Sequence, residues 1–120
     1  MDTDSAIYAT SGAYPAMLAR LSACEPGEIA ISAVSFAEIA IGTNAGKPPS
    51  RAVMEEFVRV IPIIDFDEKA ARAYAKLPFR RARFDRLLAA HALSIDAIIV
   101  TNNEADFADV PELRLENWTI

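Results

Sequence analysis

The stretch that most constrains the fold runs from Phe79 to Asn103, FRRARFDRLLAAHALSIDAIIVTNN. An arginine-rich lead-in passes into a helical pattern with Asp85 in its first turn. A β-branched apolar run, Ala97 to Val100, follows and empties into Thr101, Asn102 and Asn103. A helix feeding a buried strand whose C-terminal end turns polar is how an α/β protein builds a site. Asp85 is the odd residue in this stretch. Its neighbours three and four positions on are Leu88 and Ala89, so it lies toward the apolar side of its helix, where a carboxylate needs a partner, a metal or a role.

The rest of the chain alternates helix and strand signals around that stretch. After Met1 to Asp4 a short helical pattern runs through Ile7 and Tyr8 to a break at Ser11 and Gly12, and Ala16 to Ala23 reads as a second with Met17, Leu18 and Leu21 on one face. Glu28 to Ser32 reads as a strand, and Ser32 as the N-cap of a helix from Ala33 to Ile41 that ends at Gly42. Ser50 caps another helix. Val60 to Ile64 reads as a strand kept to a sheet edge by Pro62, and Asp67 caps a helix from Glu68 to Leu77. Leu113 to Leu115 reads as a last short strand. The pattern predicts an α/β fold: three layers, α/β/α, around a mainly parallel sheet of four or five short strands. At 120 residues and 52% apolar, the chain forms one domain, residues 1–120, with enough apolar content to exclude disorder.

Several classes fall away on composition. No apolar run reaches the ~18–20 residues of a membrane span, and the acidic start lacks the basic region of a signal peptide. The single cysteine, Cys24, has no partner for a disulfide, which makes the cytoplasm the expected compartment. One histidine, His91, and one cysteine leave zinc without ligands, and His91 reads as structural. A net charge of −5 is the wrong sign for a nucleic-acid binder, so any such contact falls to the local patch Arg80, Arg81, Arg83 and Arg86.

Four acids lie where strand ends would converge: Asp2, Glu38, Asp85 and Asp106. Carboxylates gathered at one point suit a hard divalent cation such as Mg²⁺ or Mn²⁺, which takes one or two of them directly and keeps waters that the others orient. The same acids can equally cap helices or form surface ion pairs, since the chain carries 17 of them.

In order along the chain, DTDSAIYA (Asp2–Ala9), ISAVSFAEIAIG (Ile31–Gly42), FDRLLAAHAL (Phe84–Leu93), VTNNEADF (Val100–Phe107) and LRLENW (Leu113–Trp118) resemble the PIN-domain ribonucleases, in particular the VapC toxins of type II toxin–antitoxin pairs. The resemblance implies a PIN-like three-layer domain and a Mg²⁺- or Mn²⁺-dependent endoribonuclease. It implies Asp2, Glu38, Asp85 and Asp106 as the catalytic acids, with Asp2 and Asp85 as the metal ligands. Thr101 and Asn103 would shape the site by hydrogen bonds. Asp4, where the family most often has asparagine, would add charge beside it. The implied partners are an RNA substrate, a small cognate antitoxin and a second copy in a homodimer, with no membrane. The four arginines face either RNA or antitoxin, and Ile7, Tyr8, Met17 and Leu21 are candidates for the dimer contact. Members of the family carry an apolar strand ahead of the first acid, so here the first strand reads as cut short, with Asp2 near a frayed terminus.

Two other readings compete. A degenerate PIN domain would bind without cutting. A haloacid-dehalogenase-like phosphatase would use Asp2 as nucleophile and Asp4 as acid, although its pattern requires threonine where this chain has Ala6.

Overall fold

Local signals place most helix ends. In the computed structural model, which describes residues 1–78 and 84–120, Asp2 accepts a hydrogen bond from Ser5 N–H and starts α1 (Thr3–Ser11), which Gly12 closes in the left-handed conformation at φ 70°. Pro15 opens α2 (Pro15–Ala23), its fixed φ suiting a first turn. Ser32 caps α3 (Ala33–Asn44), Ser50 caps α4 (Arg51–Val60), and Asp67 caps α5 (Glu68–Lys76). Helix α6 spans Phe84–Ser94. The strands are short: β1 (Ile31–Ser32), β2 (Ile63–Ile64), β3 (Ile98–Val100) and β4 (Arg114–Glu116), with a 3-10 turn at Glu104–Phe107 between the last two.

The strand pairing is parallel throughout, as the alternation of helices and strands implies, but it forms two separate ladders. In one, Ile31 and Ser32 face Ile63 and Ile64. In the other, Ile98, Ile99 and Val100 face Arg114, Leu115 and Glu116. Residues Met1 and Asp2 stand between the two pairs. The terminal amine donates to Ala30 O at 3.2 Å, and Asp2 N–H donates to Val100 O at 2.9 Å. Rather than fraying, these two residues are buried, at 6% and 8% exposure.

The core has two parts. Met1, Ala6, Met17, Ile31, Ile39, Met54 and Trp118 pack together among α1–α4, and Val100 joins them to the sheet. Leu88, Ala89, Ala92, Ile99, Phe107 and Val110 form the second cluster beneath α6, along which α5 lies. Met17 is fully buried and serves the core, while Ile7, Tyr8 and Leu21 pack half-buried against the first cluster. His91 is buried as well. Its Nδ1 lies 2.7 Å from the Ser32 hydroxyl and its ring meets Phe66 edge-on, a structural setting that ties α6 to the cap of α3. Among the described residues no helix is long and apolar enough to cross a membrane.

Burial lowers the pKa of the Met1 amine from 8.0 to about 6 against the opposing pull of Asp2. Burial also lowers that of His91, against Asp67. The unfolded chain therefore takes up a proton on the amine below pH 8 that the folded chain takes up only near pH 6. Stability from this group is complete above pH 8 and is lost as the pH falls through 6, by roughly 2–3 kcal/mol, with His91 adding to the loss on the acid side. Melting curves from pH 8.5 to 5.5 are expected to show Tm falling with acidification. A Tm that is flat or rises over that range contradicts this reading.

Candidate active site

The first turn of α1 is the hub of the acidic cluster. Both oxygens of Asp2 are held: Oδ1 accepts from Ser5 N–H at 2.9 Å, and Oδ2 accepts from the Thr101 hydroxyl at 2.5 Å. The sequence puts Thr101 there by ending β3 one residue earlier, at Val100, where Asp2 joins the ladder. Thr101 is fully buried, and its hydroxyl oxygen also accepts from Asn103 N–H at 3.0 Å. The Asn103 side chain in turn donates to Asp106 Oδ2 at 2.7 Å. A continuous hydrogen-bonded path thus runs from Asp2 through Thr101 and Asn103 to Asp106.

A second path leaves α1 through Thr3. Its hydroxyl donates to Glu38 Oε1 at 2.6 Å and fixes that carboxylate on α3 against the helix start. Thr3 was not among the residues singled out from sequence. The signal was its place, a hydroxyl directly after an N-capping acid and so in the first turn of the helix.

Asp4, like Asp106, is an exposed member of the group. Partial burial raises its pKa, and the negative charges of Asp2 and then Asp106 push it the same way. Carboxylates of like sign that perturb one another are the electrostatic mark of a site that calls for a cation or a proton. The helix N-terminus supplies some compensating positive potential to Asp2 and Asp4.

Asp85 enters from the first turn of α6 and is half-buried, and α6 packs on α3, the helix that carries Glu38. Asp2, Asp4 and Asp106 are therefore linked to one another, Glu38 is tied to them through Thr3, and Asp85 approaches on a neighbouring helix. Among the described residues no three acids, histidines or cysteines lie close enough together to grip a metal directly. The donor set is all oxygen. Mg²⁺ and Mn²⁺ accept such sets through retained waters with one or two direct carboxylates, so the residues fit a hydrated hard cation rather than a dehydrated one.

The arginine patch divides. Arg80, Arg81 and Arg83 lie outside the described residues. Arg86 is buried at 6% exposure, with Nη1 2.8 Å from Asp109 Oδ2 and Nη2 donating to Pro78 O at 2.9 Å. A guanidinium engaged in this way, under α6, presents no free fork to a phosphate. The expectation that Arg86 meets RNA or antitoxin gives way to a structural role, because its helix position faces the core. Its ionic partner is thus Asp109.

Comparison with known proteins bears on what this site does. The PIN domain family model matches residues 2–113. The tRNA(fMet)-specific endonuclease VapC of Shigella flexneri is 34% identical over 99% of this chain and 96% of its own length. Ribonuclease VapC2 of Haemophilus influenzae is 30% identical, covering 98% and 96% respectively. Among solved structures, VapBC2 from Rickettsia felis bound to a DNA fragment from its promoter superposes with a TM-score of 0.86 at 29% identity, covering 98% of this chain and 96% of that one.

Proposed function

The chain belongs to the PIN-domain family, and from that premise we propose that it is the endoribonuclease toxin of a VapBC-type pair, acting on RNA in the cytoplasm and restrained by a small cognate antitoxin. The observation that carries this reading is the fixed Asp2 carboxylate, clamped by Thr101 and Ser5, with Asp4 and Asp106 near enough to perturb one another. Capping alone does not call for a second and third acid at the same helix start.

In this reading Asp2 and Asp85 hold a divalent cation, Mg²⁺ or Mn²⁺. When bound, the cation supplies positive charge to the phosphate oxygens and acidifies a water. The chain's own residues do the positioning. Thr101 and Ser5 N–H prevent Asp2 from rotating away, so its charge stays aimed from the end of β3. Thr3 holds Glu38 Oε1, leaving Oε2 to accept a proton from the attacking water. Asn103 keeps Asp106 turned toward the same space. Homodimerisation belongs to the same proposal, and the exposed side chains of Ile41 and Val60, at 63% and 71% exposure, are available to it.

The purified chain is expected to cut RNA when Mg²⁺ or Mn²⁺ is present, to stop when EDTA is added, and to resume when the metal is restored. Metal-independent cleavage would contradict the mechanism. Absence of cleavage together with absence of Mn²⁺ binding by calorimetry would favour the non-catalytic binding module.

A further inference from the structure

The acids of the site stand in surroundings that give a polyanion little to hold. Residues 1–14 and 101–109, which carry Asp2, Asp4, Glu104, Asp106 and Asp109, contain no lysine or arginine. Arg86, one residue after Asp85, is already engaged by Asp109 and Pro78. A bound divalent cation offsets part of the negative charge, but it acts at the scissile phosphate. On this side of the site, affinity for the rest of the strand falls to uncharged groups. Stacking of bases on aromatic rings is such a contact, and it tolerates any sequence because every base has a π-face.

Aromatic rings stand about one helical turn from the acids. Tyr8 follows Asp4 by four residues on α1, so the two share a face about 6 Å apart along the axis. Tyr14, at the N-cap of α2, meets Tyr8 with ring centroids 4.7 Å apart and planes tilted by 48°. At that tilt the rings do not close on each other as a flat stack. Both pack against the first core cluster and are only half-buried there.

A second neighbour of Tyr8 ties the pair to the acids. Asn102 Nδ2 donates to the Tyr8 hydroxyl oxygen at 3.5 Å, a long bond. Asn102 lies between Thr101, whose hydroxyl holds Asp2, and Asn103, whose amide holds Asp106. It is exposed, and its amide keeps a second N–H and a carbonyl oxygen for another partner. Ring, amide and acids are thus brought together where the end of β3 meets α1.

We propose that Tyr8, Tyr14 and Asn102 form a nucleobase subsite beside the acids, taking one unpaired base of the RNA. The base stacks on the open part of the tyrosine pair, and the Asn102 amide bonds its edge. The separation of about 6 Å between Asp4 and Tyr8 is within the reach of one nucleotide, whose phosphate then comes to Asp2 and Asp4. A base stacked and paired in a duplex has no free face to offer, so the subsite favours single-stranded segments and loops. The subsite rests on the RNA-cleaving reading of the same acids, and its test is therefore made on binding as well as on cleavage.

The probes are two fluorescein-labelled strands of equal charge, a mixed-sequence single-stranded RNA of about 12 nucleotides and an abasic ribose–phosphate chain of the same length. Affinity for the full chain is read by anisotropy with Ca²⁺, another hard oxygen-seeking cation, in place of Mg²⁺. The wild type is expected to bind the base-bearing strand about 10-fold or more tightly than the abasic one. Tyr8→Leu should weaken the base-bearing strand by about 10-fold and leave the abasic strand unchanged. Tyr8→Phe keeps the ring and should stay within about twofold of wild type. Asn102→Ala changes an exposed residue, so it tests the subsite even where Tyr8→Leu fails to fold. It should weaken the base-bearing strand by about threefold and spare the abasic one.

Equal binding of the two strands by the wild type, or binding of neither, overturns the proposal. So does an equal loss for both strands in the variants, which would make Tyr8 and Asn102 purely structural, and so does an unchanged preference in either folded variant. Metal-dependent RNA cleavage without a base preference sinks the subsite and keeps the nuclease reading. A Tyr8-dependent base preference without cleavage does the opposite.

Discussion

Asp2→Asn is expected to slow RNA cleavage by about 100-fold or more, the scale on which a preorganised charge in a reacting site acts, while leaving the fold intact. The substitution keeps shape and capping ability, because asparagine is as good an N-cap as aspartate. It removes the charge and one acceptor. Two donors, Ser5 N–H and the Thr101 hydroxyl, converge on the Asp2 carboxylate, and an amide can satisfy only one of them in either orientation. The expected stability cost is about 1–2 kcal/mol, partly offset by relief of the repulsion that raises Asp4. Cleavage rate and Tm should therefore separate, with a large loss in the first and a drop of only a few degrees in the second. Near-wild-type cleavage by a folded Asp2→Asn protein would remove Asp2 from the site.

Asp109→Ala is expected to do the reverse: a large loss of stability with no direct effect on the acids. Arg86 and Asp109 have side-chain exposures of 8% and 35%. Removing one partner of a fully buried pair costs about 3–5 kcal/mol, because the remaining charge is stranded. The solvent access of Asp109 reduces that to about 2–3 kcal/mol, since exposed charges are screened. Pro78 O still accepts one guanidinium bond. A Tm lower by roughly 8–12 °C is expected for a domain of this size. The Arg86→Met, Asp109→Ala double substitution should recover part of the loss, because the buried guanidinium is no longer left without its carboxylate. An unchanged Tm in the single variant would show the pair to be incidental.

These two outcomes also mark what was legible in the sequence. Helix starts were, because they rest on single side chains reaching a few residues ahead: Ser32, Ser50 and Asp67 each cap where their type and position indicate. Helix ends and strand lengths were less so. Helix α3 passes through Gly42 to Asn44, with Lys47 N–H bonding Gly42 O in a turn completed by Gly46 at φ 85°. The nearer glycine was thus a helix residue and the farther one the stop. Helix α4 runs to Val60, which shortens the expected strand Val60–Ile64 to Ile63–Ile64. The strand expected over Glu28–Ser32 contracts to Ile31–Ser32 because Glu28 closes a turn with Glu25 through both backbone and side chain.

The acids themselves stood out because the alternation of helices and strands and the family resemblance gather them, and Thr101 and Asn103 through the resemblance alone. Their connections did not. Nothing in the spacing of Thr3 and Glu38, 35 residues apart, states that a hydroxyl joins them. The pairing of Arg86 with Asp109 is hidden in the same way, since an arginine next to three others reads as a surface patch until its helix face is known.

The most direct measurement is single-turnover RNA cleavage with saturating Mg²⁺, comparing the wild-type chain with Asp85→Asn, because Asp85 comes from a different helix than the Asp2 hub and so tests convergence itself. The account predicts cleavage by the wild type and a rate lower by about 100-fold or more in the folded variant. Equal rates would contradict it, because the carboxylate on α6 would then have no part in the reaction.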